Sequence, residues 1–190
     1  MILSGSRIIE EIESGVVAIK PFRKDRIRAA SYVLTLGGRF RRWKTSDAPL
    51  KVLSRDAASV FLDDAEELTE VVVEPAEFLL AHTTERIGLS ETLLGLLFPL
   101  SHLARFGISI HAGANSVSPG FGSRRPTQLA IEIYNQNRMP VVLTSGMPLA
   151  HIRFAEIVAP DMSANRTSVY EGIDPLTAPK LFEEWNLVDK

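Results

Sequence analysis

The segment SHLARFGISIHAGANSVSPGF, residues 101–121, gathers polar side chains within a mostly apolar run. The polar members are Ser101, His102, Arg105, His111, Asn115 and Ser118. Their hydroxyl, imidazole, guanidinium and amide groups are able either to bind a polar ligand or to hold a turn together. The segment alone leaves both interpretations open.

A carboxylate, Glu132, stands within the alternating stretch QLAIEIYN. Alternation places it on the polar face of a strand, where a glutamate most often meets only solvent. Its same-face neighbours, Ala130 and Tyr134, are not typical solvent residues, and Ser101 and Arg105 are available to orient a carboxylate. A carboxyl group buried beside an apolar wall has a raised proton affinity and acts as base or acid near neutral pH. Glu132 is therefore the candidate proton-transfer residue.

The elements that must position these residues are mostly strands. Alternating or β-branched runs recur with Gly and Pro between them at regular spacing, a pattern typical of an all-β sandwich or barrel. The expected strands lie in GVVAIKPF, SYVLTLGGRF, TEVVVEP, EFLLAHTTERIGL, FGISIHAG and QLAIEIYNQN, with two more in MPVVLTSGMPLAHIRFAEIV. The sequence thus predicts a mostly-β fold.

Two helical segments interrupt the strands. SGSRIIEEIESG predicts one short helix with Ser4 or Ser6 as its cap, an isoleucine-rich apolar face, and Gly15 at its end. PLSHLARFG predicts a second helical turn, with Pro99 at its start and Gly107 past its end. The second turn carries the first polar residues of the 101–121 segment.

The composition fits one domain over residues 1–190. The chain is 45% hydrophobic and 23% charged, which is ordinary globular usage, and it is long enough for a real core. It has no cysteine, which excludes disulfides, thiolate chemistry and cysteine zinc sites. The tail, from about residue 160 to 190, contains turn-forming residues but shows weak hydrophobic periodicity. It could pack on a neighbouring subunit.

The N-terminal stretch MILSGSRIIEEIESG has no basic region followed by a long apolar run, so it does not resemble a signal peptide. No apolar run approaches the roughly 20 residues that span a bilayer. We therefore expect a cytoplasmic protein without a membrane partner.

Positive charge is concentrated in residues 20–44, which hold nine Lys or Arg and one acid, whereas residues 56–77 are acidic. Clustered cations attract polyanions such as phosphates. The alternative is two solvated surfaces that partly neutralise each other. GRFRRWK interleaves aromatic residues with cations, as base-stacking segments do, but it also fits a strand end and a loop. A nucleic-acid partner is therefore the weaker expectation.

Several motifs occur in the order found in a known family. They are LSGSRIIEEI, IKPF, SYVLTLGGRF, PAEFLLAHTTERIGL, SHLARFGISIHAGA, SPGF, LAIEIYN and SGMPLAHIRF. From residue 2 to about 157 the chain resembles the dCTP deaminases of the trimeric dUTPase superfamily. The resemblance implies a distorted β-barrel or jelly-roll subunit, a homotrimer with active sites between subunits, and a nucleoside triphosphate held with Mg²⁺. It implies no zinc, and the His/Cys signature of zinc deaminases is missing.

The resemblance also implies roles for single residues. Ser101 matches the serine that helps to hold the attacking water, and Arg105 matches the arginine that contacts the reacting region. Ala114 matches the small residue that shapes the pocket beside the base. Glu132 matches the proton-shuttling glutamate: it takes a proton from water, the water adds to C4 of cytosine, and the proton goes to the exocyclic amine.

The sugar and phosphate contacts of the family are partly replaced. Leu100 stands where the family has a phosphate-binding arginine, His102 where it has a second serine, and Ser118 where an aspartate holds the 3′-hydroxyl. The tail motif VYEGI keeps the family's tyrosine, Tyr170, without its lysine, and Ile173 stands where a glutamine is expected. Each lost charge-assisted hydrogen bond costs about 1.5–3 kcal/mol, so tight triphosphate binding needs other cations.

An apparent insertion, SRRPT, widens a hairpin and offers such cations in Arg124 and Arg125, and His102 is a further candidate. The alternative interpretations are an exposed loop for the two arginines and a histidine that packs in a turn for His102. The ligand contacts that we predict from the sequence are completed by side chains or backbone at His111, Ser118, Ala130, Ile131 and Tyr170.

Three functions remain open at this point. The first is hydrolytic deamination of dCTP to dUTP and ammonia. The second is the same scaffold with a different nucleotide, and the third is a catalytically silent binding or regulatory protein. A dUTPase-type pyrophosphatase is less favoured, because that chemistry needs a carboxylate where Ser118 stands and the glycine-rich C-terminal phosphate motif is missing.

Overall fold

The computed structural model describes residues 1–52, 60–111, 115–158 and 168–181, with the backbone alone of His111. Strands dominate this part of the chain. Helices within the described ranges include α1 (Gly5–Glu13) and α2 (Ser101–Arg105), and a 3-10 turn spans Lys24–Arg26. The strands are β1 (Val17–Lys20), β2 (Ile27–Arg28), β3 (Ser31–Thr35), β4 (Arg39–Arg42), β5 (Glu66–Glu67), β6 (Glu70–Val73), β7 (Phe78–Leu89), β8 (Leu93–Pro99), β9 (Ile108–His111), β10 (Ser116–Val117), β11 (Thr127–Asn135), β12 (Val141–Thr144) and β13 (Pro148–Glu156).

The strands form three sheets within the described residues. The first sheet has the order β5-β4-β7-β11-β9, with β1 also paired to β7. The second sheet has the order β10-β8-β13-β3-β2, and a two-stranded ribbon joins β12 to β6. The predicted mostly-β fold is confirmed.

Apolar side chains from both sheets form two core clusters. One contains Ile8, Tyr32 and Phe154, and the other contains Phe40, Ile131 and Ile133, all of them essentially inaccessible to solvent. Burying such side chains supplies most of the driving force for folding, at about 1.5–3 kcal/mol for each large apolar group. The alternation along β11 therefore fixes which of its faces lies inward.

A buried ion pair joins the two sheets. Glu85 on β7 is 0% exposed, and its carboxylate pairs with the Arg26 guanidinium. The backbone N–H of Thr35 on β3 donates to Oε2 of Glu85 at 2.9 Å, and the Thr35 hydroxyl donates to Oε1 at 2.9 Å. A buried carboxylate needs such partners because it has lost its water. The first and second sheets are therefore tied together at the middle of β7.

Both predicted helices are present, but Pro99, predicted at the start of the second, is the last residue of β8, and α2 begins at Ser101. The Ser4 hydroxyl caps α1 by accepting from the Arg7 N–H at 3.3 Å. Gly15 follows the helix with φ +79°, a left-handed conformation that glycine adopts without strain. In α2 the buried residue Leu103 anchors the turn to the second core cluster.

The strand prediction missed β8 entirely. Its sequence LLGLLFP is nearly continuous in apolar residues, so it lacks the alternation that marks a half-buried strand. SYVLTLGGRF forms two strands, β3 and β4, rather than one, and between them Gly37 lies against the His82 ring, where a Cβ would be 2.1 Å from that ring. The two strands of MPVVLTSGMPLAHIRFAEIV do not pair with each other, since β12 pairs with β6 and β13 with β3 and β8.

No helix among the described residues is long and apolar enough to cross a membrane. The cytoplasmic location stays a prediction. The described part of the tail, residues 168–181, contacts its own chain, and packing on a neighbouring subunit stays a prediction as well.

Candidate active site

Glu132 lies in the middle of the first sheet. It pairs with Leu80 on β7 and with His111 on β9, and Leu80 pairs in turn with Arg41 on β4. Residues that pair directly across strands share a face of the sheet. Arg41, Leu80, Glu132 and His111 therefore form one row across four strands.

Strand β11 has one face against the core and an opposite face that carries Glu132. Ile131 and Ile133 are 0% exposed, whereas Glu132 and Tyr134 are half-buried and Ala130 is exposed. One carboxyl oxygen of Glu132, Oε2, is nevertheless shielded from solvent. The structure thus places Glu132 where the alternation predicts it, with apolar Leu80 beside it. The side chain of Ile131 points into the core, so a ligand on the Glu132 face can meet only its backbone.

Ser101 and Arg105 lie on α2, and both are exposed. Backbone contacts hold the segment after α2 against the end of β11: the Gln136 N–H donates to the Gly107 carbonyl at 2.8 Å. That end of β11 is at Asn135, three residues or about 10 Å along the strand from Glu132. Among the described residues, the side chains of Ser101 and Arg105 are in no hydrogen bond that the structure gives, and α2 lies toward the Asn135 end of the β9–β11 pairing, away from Glu132.

Ser118 lies apart from this group, in the turn after β10. It is exposed, and its carbonyl accepts from the Phe121 N–H at 3.1 Å. Ala114 lies outside the described residues, and for His111 the structure gives only the backbone, paired with Glu132. The roles predicted for these three residues stay predictions.

The insertion and the tail meet near the start of β11. Arg124 and Arg125 are exposed, and the Cδ of Arg125 lies 3.5 Å from an ideal Cβ at Gly172. The Gly172 N–H donates to the Thr127 hydroxyl at 2.9 Å. The phenol of Tyr170 accepts from the Lys180 N–H at 2.7 Å. Arg125 therefore lies beside the Gly172 turn of the tail, while the Tyr170 phenol contacts the backbone of the tail itself.

The tail also crosses β4, a contact that the sequence analysis missed. Arg39 and Asp174 form an ion pair at 2.5 Å, and the Arg41 guanidinium donates to the Leu176 carbonyl at 2.9 Å. Leu176 itself is 2% exposed. The sequence does contain a signal for this contact. In Arg39-Phe40-Arg41 the alternation of a strand puts Phe40 in the core and both arginines on the opposite face.

Charges and burial set the ionisation of two side chains beside the tail. Burial alone would raise the pKa of Asp174, but hydrogen bonds from Arg39 and from the Leu176 N–H, with the charge of Arg39, bring it below its ordinary value. Burial lowers the pKa of His82, and the Thr83 carbonyl only partly opposes this. The His82 ring has Nδ1 2.8 Å from that carbonyl, and Nε2 accepts from the Arg39 N–H at 3.3 Å. These partners fit only the neutral ring with its proton on Nδ1.

Four of the nine cations in the basic cluster near the N-terminus form ion pairs within the described part of the chain. Arg23 pairs with Asp25, Arg26 with Glu85, Arg39 with Asp174, and Arg42 with both Glu66 and Glu77. The acidic stretch thus neutralises part of the basic one, as the solvated-surface interpretation expects. In the ranges that the structure describes, no group of three or more His, Cys, Asp or Glu is placed to hold a metal ion.

Comparisons with known proteins agree with this geometry. The family model described as dCTP deaminase-like matches residues 2–157. A dCTP deaminase of Haloarcula marismortui is 30% identical over 189 residues, covering 95% of each protein. A "dCTP deaminase, dUMP-forming" of Coprothermobacter proteolyticus is 34% identical over 155 residues, covering 81% of each.

A solved structure shares the fold. The 2'-deoxycytidine 5'-triphosphate deaminase of Agrobacterium tumefaciens matches with a TM-score of 0.62 at 22% identity. The match covers 80% of this chain and 46% of that one, so the chain spans about half the length of that solved protein.

Proposed function

Because the chain belongs to the dCTP deaminase family of the dUTPase-like fold, we propose that it deaminates dCTP by hydrolysis, giving dUTP and ammonia. The observation that carries the proposal is the place of Glu132. It is the one carboxylate on β11, an interior strand of the first sheet, one of its oxygens is shielded from solvent, and its cross-strand neighbour Leu80 is apolar. Such a group is suited to hold and pass a proton.

The chemistry assigns each proton to an acceptor. Glu132 takes a proton from water as the water oxygen adds to C4 of cytosine, and it delivers that proton to N3 of the ring, which leaves the carboxylate free to act again. The new C4 hydroxyl then loses its proton, which Glu132 passes to the exocyclic amine. Ammonia leaves and C4 becomes a carbonyl. Ser101 and Arg105 are proposed to orient the water and the base, which lowers the entropy cost of the addition.

A homotrimer with active sites between subunits is part of the proposal. Within one chain, Ser101 and Arg105 are exposed and lie toward the other end of the β9–β11 pairing from Glu132. A second copy that supplies its own α2 to Glu132 would bring the three side chains together. The nucleotide would then be bound by two subunits at once.

We place the triphosphate toward Arg124, Arg125 and Tyr170. The two arginines are exposed, and Arg125 lies beside the Gly172 turn of the tail. They are the cations that would compensate for Leu100 at the position of the family's phosphate-binding arginine. Mg²⁺ enters as part of the nucleotide, on the phosphate oxygens, and zinc has no part in the scheme.

A dUMP-forming reaction is the second candidate, because relatives carry both names. Such an enzyme must also split a phosphate anhydride, for which a carboxylate has to activate a second water. Ser118 offers only a hydroxyl at the position where we expect that carboxylate. This difference favours dUTP as the product.

Ammonia release and product analysis test the proposal. We expect ammonia from dCTP with Mg²⁺, dUTP as the nucleotide product, and a kcat for Glu132→Gln that is lower by about 10²–10⁴-fold. Glu67→Gln, an exposed strand glutamate, is the matched control and should keep the kcat of the unaltered protein.

Three other outcomes would each change the assignment. Formation of dUMP and pyrophosphate would establish the second candidate. Turnover of CTP, dCMP or deoxycytidine in place of dCTP would mean a different nucleotide ligand. No ammonia from any of the four would overturn the deaminase proposal and favour a binding or regulatory role.

A further inference from the structure

The pairing of β11 with β7 changes register just before Glu132. Gln128 pairs with Arg86, but Ala130 pairs with His82, so three β7 residues, 83–85, lie opposite Leu129 alone. Such irregularities in a ladder are typical of places where a strand must re-aim its side chains.

The shift decides which side chain is the neighbour of Glu132. If the register of Gln128 continued, Glu132 would lie opposite His82; in the structure it lies opposite Leu80. Because the shift is two residues, Glu132 keeps the same face of the sheet. What changes is that an apolar side chain replaces an imidazole beside the carboxylate.

A single hydroxyl holds the irregular segment. Thr83 is 0% exposed, and its Oγ1 accepts from the Leu129 N–H at 3.0 Å and donates to the Glu85 carbonyl at 2.7 Å. It thereby takes the place of the strand carbonyl that would bind Leu129 in a regular ladder. A buried N–H left without an acceptor is costly, so this hydroxyl favours the shifted register.

Further contacts hold Thr83 and the part of β7 that follows it. The Gln128 side-chain amide donates to the Thr83 carbonyl at 3.0 Å. Two residues on, the Glu85 carboxylate is held by Arg26 of the 3-10 turn and by Thr35 of the second sheet. The irregular segment of β7 is therefore fixed on both sides of Thr83.

We propose that Thr83 is a positioning residue for deamination: its hydroxyl holds β11 in the shifted register that keeps Glu132 beside Leu80. The inference rests on the proposed function of Glu132. Thr83 lies at the level of Leu129, three residues before Glu132 along β11, and acts through the strand.

The neighbouring threonine provides a matched control. The Thr84 hydroxyl donates to the Leu36 carbonyl at 2.9 Å, outside the β7–β11 ladder. Thr83→Val and Thr84→Val each remove one hydroxyl with little change of volume. Only the first removes the acceptor of the Leu129 N–H.

Steady-state kinetics of the full chain with dCTP tests the inference. We expect Thr83→Val to lower kcat about 10–100-fold with KM changed less than about twofold, because small displacements of a reacting group are costly. Thr83→Ser should restore kcat, and Thr84→Val should keep it. Hydrogen exchange of the peptide containing Leu129 should speed up in Thr83→Val alone among these three.

The outcomes separate the inference from the proposed function. A Thr83→Val protein with unaltered kcat, or a Thr84→Val protein with an equal loss, would overturn the positioning role. If Thr83→Val does not fold, Gln128→Met is measured instead, because it removes the side-chain amide that donates to the Thr83 carbonyl. The inference then predicts a lower kcat with KM nearly unchanged, and an unaltered kcat would overturn it. If the unaltered protein releases no ammonia, the deaminase proposal fails. Hydrogen exchange then tests the register role by itself: an unchanged exchange rate of the Leu129 peptide in Thr83→Val would overturn that role.

Discussion

The strand that carries Glu132 and the tail that crosses β4 are held by different kinds of contact. Around β11 the holding groups are inaccessible: Thr83 and Glu85 are each 0% exposed, and their partners lie in the ladder or in the opposite sheet. The tail is held by Arg39 and Asp174, whose side chains are 38% and 48% exposed. Buried polar contacts are costly to break, whereas exposed ion pairs contribute about 0–1 kcal/mol. The strand that carries Glu132 is thus held by buried polar contacts, whereas the exposed ion pair of the tail contributes little beside the burial of Leu176.

The largest effect in this comparison is expected on the buried side. Glu85→Ala leaves the Arg26 guanidinium and the Thr35 N–H without their acceptor, so the free energy of unfolding should fall by about 3–5 kcal/mol. Urea denaturation at neutral pH measures it. Asp25→Ala, which breaks the exposed pair with Arg23, is the control and should leave the unfolding midpoint in place. A loss below about 1 kcal/mol for Glu85→Ala would mean that this region is no more tightly held than the tail.

A second effect depends on pH. The pKa of folded His82 lies below its ordinary value of 6.5, so the unfolded chain binds the proton more readily. Stability from the neutral ring is therefore fully present above about pH 6.5 and is lost as the pH falls toward the lower pKa of the folded state. Urea unfolding of the unaltered protein between pH 7.5 and 5 should show this decline, and His82→Gln should flatten it.

His151→Gln is the control for the pH experiment. Burial also lowers the pKa of His151, but its ring is only partly covered and contacts the Ser31 hydroxyl rather than two backbone groups. This variant should keep most of the decline. An equal reduction of the pH dependence of stability in both variants would show that His82 contributes no more to the decline than His151 does.

The smallest effect is expected at the tail. Asp174→Asn removes the ion pair with Arg39, and we expect the free energy of unfolding to change by less than about 1 kcal/mol. Limited proteolysis is the sensitive measurement: cleavage within residues 168–181 should become faster, and added salt should have a similar effect on the unaltered protein. Glu171→Gln, in the same segment, should cleave at the unaltered rate. Equal rates for Asp174→Asn and the unaltered protein would show that burial of Leu176 holds the tail instead.

The sequence was most informative where local rules decide the structure. The cap of α1, its glycine end and the turn of α2 follow from contacts within four residues, and all three were predicted. The two faces of β11 were predicted as well, because a strand alternates with a period of two whatever it pairs with. The family motifs then connected Glu132 with deamination.

Local rules did not reveal the contacts that hold the site. Strand β8 was missed because apolar residues run through it without alternation. Thr83 and Leu129 are 46 residues apart, and Arg26 and Glu85 are 59 apart. No periodicity in the sequence connects residues so distant.

The sequence by itself thus determined that Glu132 faces away from Ile131 and Ile133, since the backbone geometry of a strand enforces that choice. Only the tertiary structure decided that its neighbour is Leu80 and not His82. That choice is a matter of register, and register depends on hydrogen bonds between strands that are far apart in the chain. Here it depends on one buried hydroxyl, that of Thr83, which satisfies the N–H that the shift leaves without a regular partner.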